Sequence, residues 1–223
     1  MRCLLCNMPL YLATHGVCSQ CIKNLPQQNK VCHQCSLPHS LTTERCYRCI
    51  EHKPNWDMLI STSEYINPLK KLIHQLKFYR KAELALALAR LMFLAWYKRR
   101  LSEGIIIPDL VTCVPLHHVR YWSRGFNQAE LLAKPIAKWI NRDFVPYLLV
   151  RRQRAIDQKT LSLKDRVKNV ETLYLCRQNL SNKSVLLIDD IVTTGNTINA
   201  ISQQLKKCGA TYIQVICLCR TVL

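Results

Sequence analysis

The chain reads as an α/β protein, a parallel sheet flanked by helices, preceded by a small cysteine-rich module. Three observations predict this. Residues 185–188, Val-Leu-Leu-Ile, form an aliphatic run without polar alternation, the pattern of a strand buried on both faces. Residues 105–114 and 212–218 carry further apolar runs, with helix-period segments between them, and strands alternating with helices build parallel sheets. Eight of the thirteen cysteines stand in four Cys-x-x-Cys pairs within the first 49 residues.

Composition bounds the rest. A chain of 223 residues suits one ordinary domain plus a small module. With 32 basic and 14 acidic residues the formal charge is +18, which favours polyanionic partners or an acidic membrane face, a solvated basic surface being the plainer alternative. The cysteine distribution fits reduced thiols in a cytoplasm rather than a disulfide scaffold. Cys3 and Cys6 fall where the apolar core of a signal peptide would begin. Residues 84–97 contain Arg90 and fall short of the roughly 20 residues that cross a bilayer, so no transmembrane segment is expected.

Residues 1–49 hold Cys3-x-x-Cys6, Cys18-x-x-Cys21, Cys32-x-x-Cys35 and Cys46-x-x-Cys49. One such hairpin places two thiolates a few Å apart, and two hairpins complete a tetrahedral zinc site. The intervals inside the two halves, eleven and ten residues, are nearly equal. The segment therefore reads as a double zinc ribbon over residues 1–53, with sites Cys3/Cys6/Cys18/Cys21 and Cys32/Cys35/Cys46/Cys49. A crossed pairing of hairpins, one metal instead of two, and a redox dithiol use stay open. The sulfur count leaves His15, His33, His39 and His52 as surface residues. So few large apolar residues make metal binding the main source of the module's stability.

A second domain is expected over residues 54–223. After a linker, residues 59–66 suggest a strand or extended arm. Leu69, Leu72, Ile73 and Leu76 form a helix stripe ending at Lys77, a cation suited to phosphate groups or to a plain solvated helix end. Residues 82–100 form an Ala/Leu-rich helix with a basic last turn, ended by Gly104. The run 105–114, interrupted by Pro108, reads as a strand that feeds Pro115, Leu116 and His117. Arg120 and Arg124 follow at a spacing that puts them on one side of a helical turn, either as phosphate forks or as part of a basic face. Residues 131–140 repeat apolar positions at helical spacing.

From 117 to 170 twelve Lys/Arg face four acidic residues, and Arg151, Arg152 and Arg154 open a stretch with little apolar periodicity. Such a segment suits either a lid over a substrate or a grip on nucleic-acid phosphates. Tyr121, Trp122 and Phe126 suit base stacking, with core packing the more ordinary use.

The most informative stretch follows the 185–188 run, which is expected to stop on Asp189 and Asp190 and turn through Thr193, Thr194, Gly195, Asn196 and Thr197 into a helix. A small-residue turn feeding a helix exposes unpaired amides, a seat for phosphate, and threonine hydroxyls add donors. Carboxylates beside a phosphate would repel it unless they face sugar hydroxyls or a divalent cation. Together the groups describe a phosphoribosyl compound with Mg²⁺. An ordinary strand end with an Asx turn and a threonine-capped helix is the competing reading.

Apolar run, acid pair and Thr-Thr-Gly-x-Thr resemble the phosphoribosyl pyrophosphate motif of the type I phosphoribosyltransferase fold. The Cys-x-x-Cys array, Leu-Lys-Phe-Tyr at 76–79, Val-Pro-Leu at 114–116, Arg-Gly-Phe-Asn-Gln at 124–128, Gln158, Arg166 and Asn169 narrow the resemblance to the ComF family of natural-transformation proteins. The resemblance implies that Asp189 and Asp190 hold ribose hydroxyls, residues 193–197 the 5′-phosphate, and Val114, Pro115, Leu116 and His117 the pyrophosphate. It further implies a cytoplasmic factor at the inner face of the membrane. That factor would handle incoming single-stranded DNA beside a helicase and a recombinase loader. Active phosphoribosyl transfer to a nitrogen acceptor is the alternative. Purine-salvage members carry an aspartate where this chain has Thr193, which disfavours that one acceptor class.

Overall fold

The computed structural model describes residues 2–12, 15–26, 30–40, 43–79, 82–116, 122, 124–151 and 173–221. Helices α1 (Ser19–Lys23) and α2 (Tyr47–Glu51) belong to the cysteine module. They are followed by β1 (Met58–Glu64), α3 (Leu69–Tyr79), α4 (Ala82–Glu103), β2 (Leu110–Cys113), α5 (Gln128–Trp139) and β3 (Asp143–Phe144). The chain closes with β4 (Leu149–Arg151), β5 (Tyr174–Cys176), β6 (Ser184–Val192), α6 (Asn196–Lys207) and β7 (Tyr212–Arg220).

Five strands make one sheet in the order β1-β7-β6-β2-β3, every pair parallel. The aliphatic residues 185–188 lie in its central strand and are wholly buried, as a strand covered on both faces requires. Strands β4 and β5 form a separate antiparallel pair. The expected strand over 105–114 is shorter, Leu110–Cys113. Pro108 has no N–H for a ladder, and its carbonyl accepts from Arg142 Nε at 2.8 Å. Ile106 likewise turns its carbonyl to Gln214 Nε2, at 2.8 Å.

Helix α4 is apolar around most of its circumference because it is covered on more than one side. Leu88, Met92 and Trp96 are buried in a cluster with Ile216 and Leu218 of β7, and the same cluster contains Cys3, Val17 and Leu25 of the cysteine module. Gly16 makes the close approach possible: its φ is +65°, and a Cβ there would overlap Ala87 of α4. Gln214, a large polar side chain buried against this core, accepts from Trp96 Nε1 at 2.8 Å, so it is not left unpaired.

The second half of the module protects a sheet edge. Among the described residues β1 pairs only with β7, and a bare edge invites pairing with other chains. Here Ser36 Oγ accepts from Ser61 N at 3.3 Å, and Ser63 Oγ donates to the Pro26 carbonyl at 3.1 Å. No helix among the described residues is long and apolar enough to cross a membrane.

Candidate functional site

The acid pair does not end its strand, as the sequence pattern suggests. β6 runs through Asp189 and Asp190 to Val192, with Asp189 opposite Cys217 and Ile191 opposite Cys219 of β7. Pairing continues because β7 is itself nine residues long and offers partners that far. Each carboxylate is fixed by the backbone beyond it. Asp189 Oδ1 accepts from Asp190 N, and Asp190 Oδ1 accepts from Ile191 N, both at 2.8 Å.

Lys77, at the end of α3, reaches Asp190 Oδ2 at 2.7 Å. The two side chains are only 19 % and 15 % exposed, so removing either leaves a largely buried charge unpaired, at a cost of about 3 kcal/mol. Among the described residues Asp189 has no such partner of its own. Burial pushes its carboxyl well above the usual carboxylate range, and the neighbouring Asp190 charge adds to the shift.

Beyond Val192 the chain turns through residues 193–195 into α6. Gly195 is the N-cap, at φ +88°, a conformation that L side chains rarely adopt, and it supplies no side-chain cap to the helix amides. Asn196 N is within 3.3 Å of Thr194 Oγ1, and the first turn contains no acidic residue. Thr193, Thr194, Asn196 and Thr197 are exposed. The turn therefore presents amides and hydroxyls at the positive end of a helix, the arrangement that receives an anion.

Residues 114–116 leave the sheet beside the acid pair because β2 is the parallel neighbour of β6. Cys113 pairs with Ile188, and Val114 N donates to the Ile188 carbonyl at 2.9 Å. Asn127, which caps α5 through Ala129 N, also donates to the Val114 carbonyl at 3.0 Å and so locks the 114–116 segment to that helix. Arg124 lies over Phe78, 5.7 Å from its ring, and Nη1 donates to Gln128 Oε1 at 3.2 Å, which brings it to the end of α3 that carries Lys77. Arg151 stands 5.8 Å from the ring of Tyr174. Burial raises the Tyr174 phenol, and both Arg151 and Asp189 act on it electrostatically. His117, Arg120, Arg152 and Arg154 lie outside the described residues, as do Tyr121, Gln158, Arg166 and Asn169. Trp122 is 76 % exposed, against the expectation that it serves the core, and Phe126 is half-buried.

The cysteines group in sequential halves. In Cys3/Cys6/Cys18/Cys21 and in Cys32/Cys35/Cys46/Cys49 all four sulfurs lie within 4.8 Å of one another. Cys6 and Cys18 Sγ are 3.8 Å apart, Cys35 and Cys46 Sγ 3.7 Å. A tetrahedron with metal–sulfur bonds of roughly 2.3 Å has edges of roughly 3.8 Å, so both groups fit Zn²⁺. Amides point at the sulfurs, Cys18 N to Cys3 Sγ at 3.4 Å and Cys46 N to Cys32 Sγ at 3.3 Å. Without a cation the thiols cannot all ionise together. Hydrogen bonds from Cys35 and Cys49 pull the Cys32 thiol far down, while the bond to Cys32 pushes Cys35 up to about 12.

Several residues of the site escape a reading by pattern. Arg220, 2 % exposed at the end of β7, donates from Nη1 to the Val192 carbonyl at 3.0 Å and from Nε to the Cys35 carbonyl at 3.2 Å. It thus joins the second cysteine group to the start of the threonine turn. Trp56 does so again: its Nε1 donates to the Gln34 carbonyl, and its ring would lie 3.1 Å from a Cβ at Gly195. Asn55 adds a third tie, N to Asn199 Oδ1 at 2.8 Å. An arginine closing a largely apolar strand is the signal that could have marked the first of these.

Comparison with known proteins follows the same lines. The phosphoribosyl transferase domain family matches residues 127–221, a span that includes the acid pair and the turn. "DNA utilization protein YhgH" of Salmonella typhimurium is 40 % identical over 220 residues, covering 99 % of this chain and 97 % of that protein. "Competence protein F" of Haemophilus influenzae is 34 % identical over 217 residues, covering 96 % of this chain and 94 % of that one. Among solved structures, a purine phosphoribosyltransferase from Pyrococcus horikoshii aligns over 60 % of this chain and 73 % of its own, with 16 % identity and a TM-score of 0.38.

Proposed function

Because this chain belongs to the ComF family, we propose that it is a competence factor that acts on incoming single-stranded DNA and carries a pocket for phosphoribosyl pyrophosphate and Mg²⁺. The observation that supports the pocket best is the meeting of four features at one end of the sheet: the acid pair, the threonine turn, the 114–116 segment and Lys77. Asp189 and Asp190 accept from ribose hydroxyls, and residues 193–197 donate to the 5′-phosphate. Val114, Pro115, Leu116 and His117 line the pyrophosphate end. Mg²⁺ neutralises pyrophosphate charge when bound, and the carboxylates are the hard oxygen donors it prefers. Lys77 and Arg124 add positive charge beside it.

The cysteine module, residues 1–53, braces the domain at 54–223 with two structural Zn²⁺ sites. Four thiolates around a divalent cation keep a net negative charge, and Arg220, donating to the Cys35 carbonyl, is the buried cation that faces it. The relatives' names, DNA utilization and competence, support a role for the protein on DNA, and we set that role in the cytoplasm. There, at the inner membrane face, it meets the emerging strand together with a helicase and a recombinase loader.

Calorimetry tests the pocket. Phosphoribosyl pyrophosphate with Mg²⁺ should give saturable heat that disappears when Asp189→Ala and Asp190→Ala are combined, and transformation frequency of that double variant tells whether the pocket matters to DNA uptake. No heat from the intact protein refutes the pocket. The domain match over 127–221 favours a second reading, transfer of phosphoribosyl to a nitrogen acceptor. Pyrophosphate release on adding one of a panel of nucleobases and amines supports it; a blank panel leaves the binding role alone.

A further inference from the structure

A cavity of about 640 Å³ lies between the second half of the cysteine module, the edge strand β1 and helix α4, and none of the residues of the acid-pair site lines it. One wall is apolar, made by Leu91 and Leu94 of α4 with Ile60 of β1. The other is cationic, with Lys98 and Arg99 one turn further along α4. Lys30, Glu44 and Glu103 also border the cavity, so its Lys and Arg outnumber its acids by one, and Glu103 is engaged: Oε1 takes Arg99 Nε at 2.8 Å, and Oε2 stands 3.5 Å from His33 Nδ1.

Polar atoms left without partners concentrate here. Among the described residues eight buried side-chain nitrogens and oxygens have no hydrogen-bond partner, and three of them, Arg99 Nη2, Thr62 Oγ1 and His39 Nδ1, belong to residues of this one cavity. Buried polar groups are normally satisfied, so three exceptions beside one cavity mark a wall whose polar groups are incompletely paired. Arg99 keeps Nη2 unpaired, since its Nε is taken by Glu103 and its Nη1 donates to the Leu59 carbonyl at 3.5 Å, and the neighbouring Lys98 adds an exposed ammonium for an anionic oxygen.

We infer that this cavity is a binding site for a small organic anion, whose acidic head is received by Arg99 and Lys98 and whose apolar or aromatic body lies against Ile60, Leu91 and Leu94. Its volume falls in the range of small-molecule sites, roughly 300–1,000 Å³, enough for a mononucleotide and too little for a longer strand. A phosphate and a carboxylate head satisfy the same groups.

Amide resonances of the isotope-labelled full-length chain test this without reference to the acid-pair pocket. Thymidine 5′-monophosphate, 3-phenylpropionate, inorganic phosphate and thymidine are titrated in turn. One or both organic anions should shift the amides of residues 60–63 and 94–103 saturably, about tenfold more tightly than inorganic phosphate or thymidine. Saturation by the nucleotide alone assigns a phosphate head, by the acid alone a carboxylate. Lys98→Glu, an exposed position on the wall, and Ala95→Phe, which fills the cavity, should each weaken binding about tenfold or more. Three results overturn the inference: no saturable shift at these amides, inorganic phosphate or thymidine binding as tightly as the organic anions, or affinity unchanged in Lys98→Glu. The surface position of Lys98 keeps that last arm informative even if Ala95→Phe does not fold.

Discussion

Asp189 is an acid placed where ionisation is costly. Burial first, then the charge of Asp190, hold its carboxyl well above the range of a solvated aspartate. In the unfolded chain it ionises near pH 3.9. Between that point and its raised native pKa the folded protein retains a proton that the unfolded chain has lost, so stability falls as pH rises through the window and is fully present below it. Asp189→Asn keeps the oxygen that receives Asp190 N and removes the charge. We expect the variant to be more stable than the parent at neutral pH, to lose this part of the pH dependence, and to bind no phosphoribosyl pyrophosphate with Mg²⁺. Urea unfolding between about pH 4 and pH 8, followed by calorimetry, checks all three. An Asn variant less stable at neutral pH would mean that the ionised carboxylate stabilises the apo fold, contrary to its burial.

At the scale of elements, the threonine turn is held from behind by the second cysteine group through Arg220, Trp56 and Asn55. Replacing Cys46 and Cys49 by Ser should therefore speed amide exchange in residues 193–199 and weaken sugar-phosphate binding. The matching change at Cys18 and Cys21, whose group packs on the α4 cluster instead, should leave that segment protected. Exchange mass spectrometry separates the two, and equal protection in both variants removes the proposed coupling. This wiring also explains what the sequence could and could not reveal. Residues 185–188, the Thr-Thr-Gly turn and the cysteine pairs were legible because each is a pattern among near neighbours. The Asn55–Asn199 and Cys35–Arg220 ties join residues 144 and 185 positions apart, and nothing local in either segment announces its partner. The Lys77–Asp190 pair was half legible: the lysine stood out as a cation at a helix end, but its partner across the fold did not. Strand β6 outran its expected end for the same reason, since β7 supplied the partners.

For the molecule as a whole the net charge of +18 is the dominant long-range property. Among the described residues Lys or Arg meets a carboxylate in four ion pairs, Lys77–Asp190, Arg99–Glu103, Lys134–Glu130 and Lys206–Asp57. The net positive charge produces a field that attracts polyanions and is screened over roughly 10 Å at 0.1 M salt. If this field grips single-stranded DNA, the logarithm of the binding constant should fall linearly with the logarithm of salt concentration, by roughly 0.7 for each phosphate neutralised. Arg124 and Arg151 lie toward the acid-pair end of the sheet, whereas exposed Lys207 sits in the last turn of α6, at its opposite end. Arg124→Gln and Arg151→Gln should each flatten the slope by about 0.7, while Lys207→Gln should leave it unchanged. A fluorescence anisotropy series with an unstructured oligonucleotide measures the slopes directly. If the three variants flatten it equally, the contact is diffuse attraction by net charge and not a track past the sugar-phosphate site; if the parent's slope is flat, phosphate contacts are not what holds the strand.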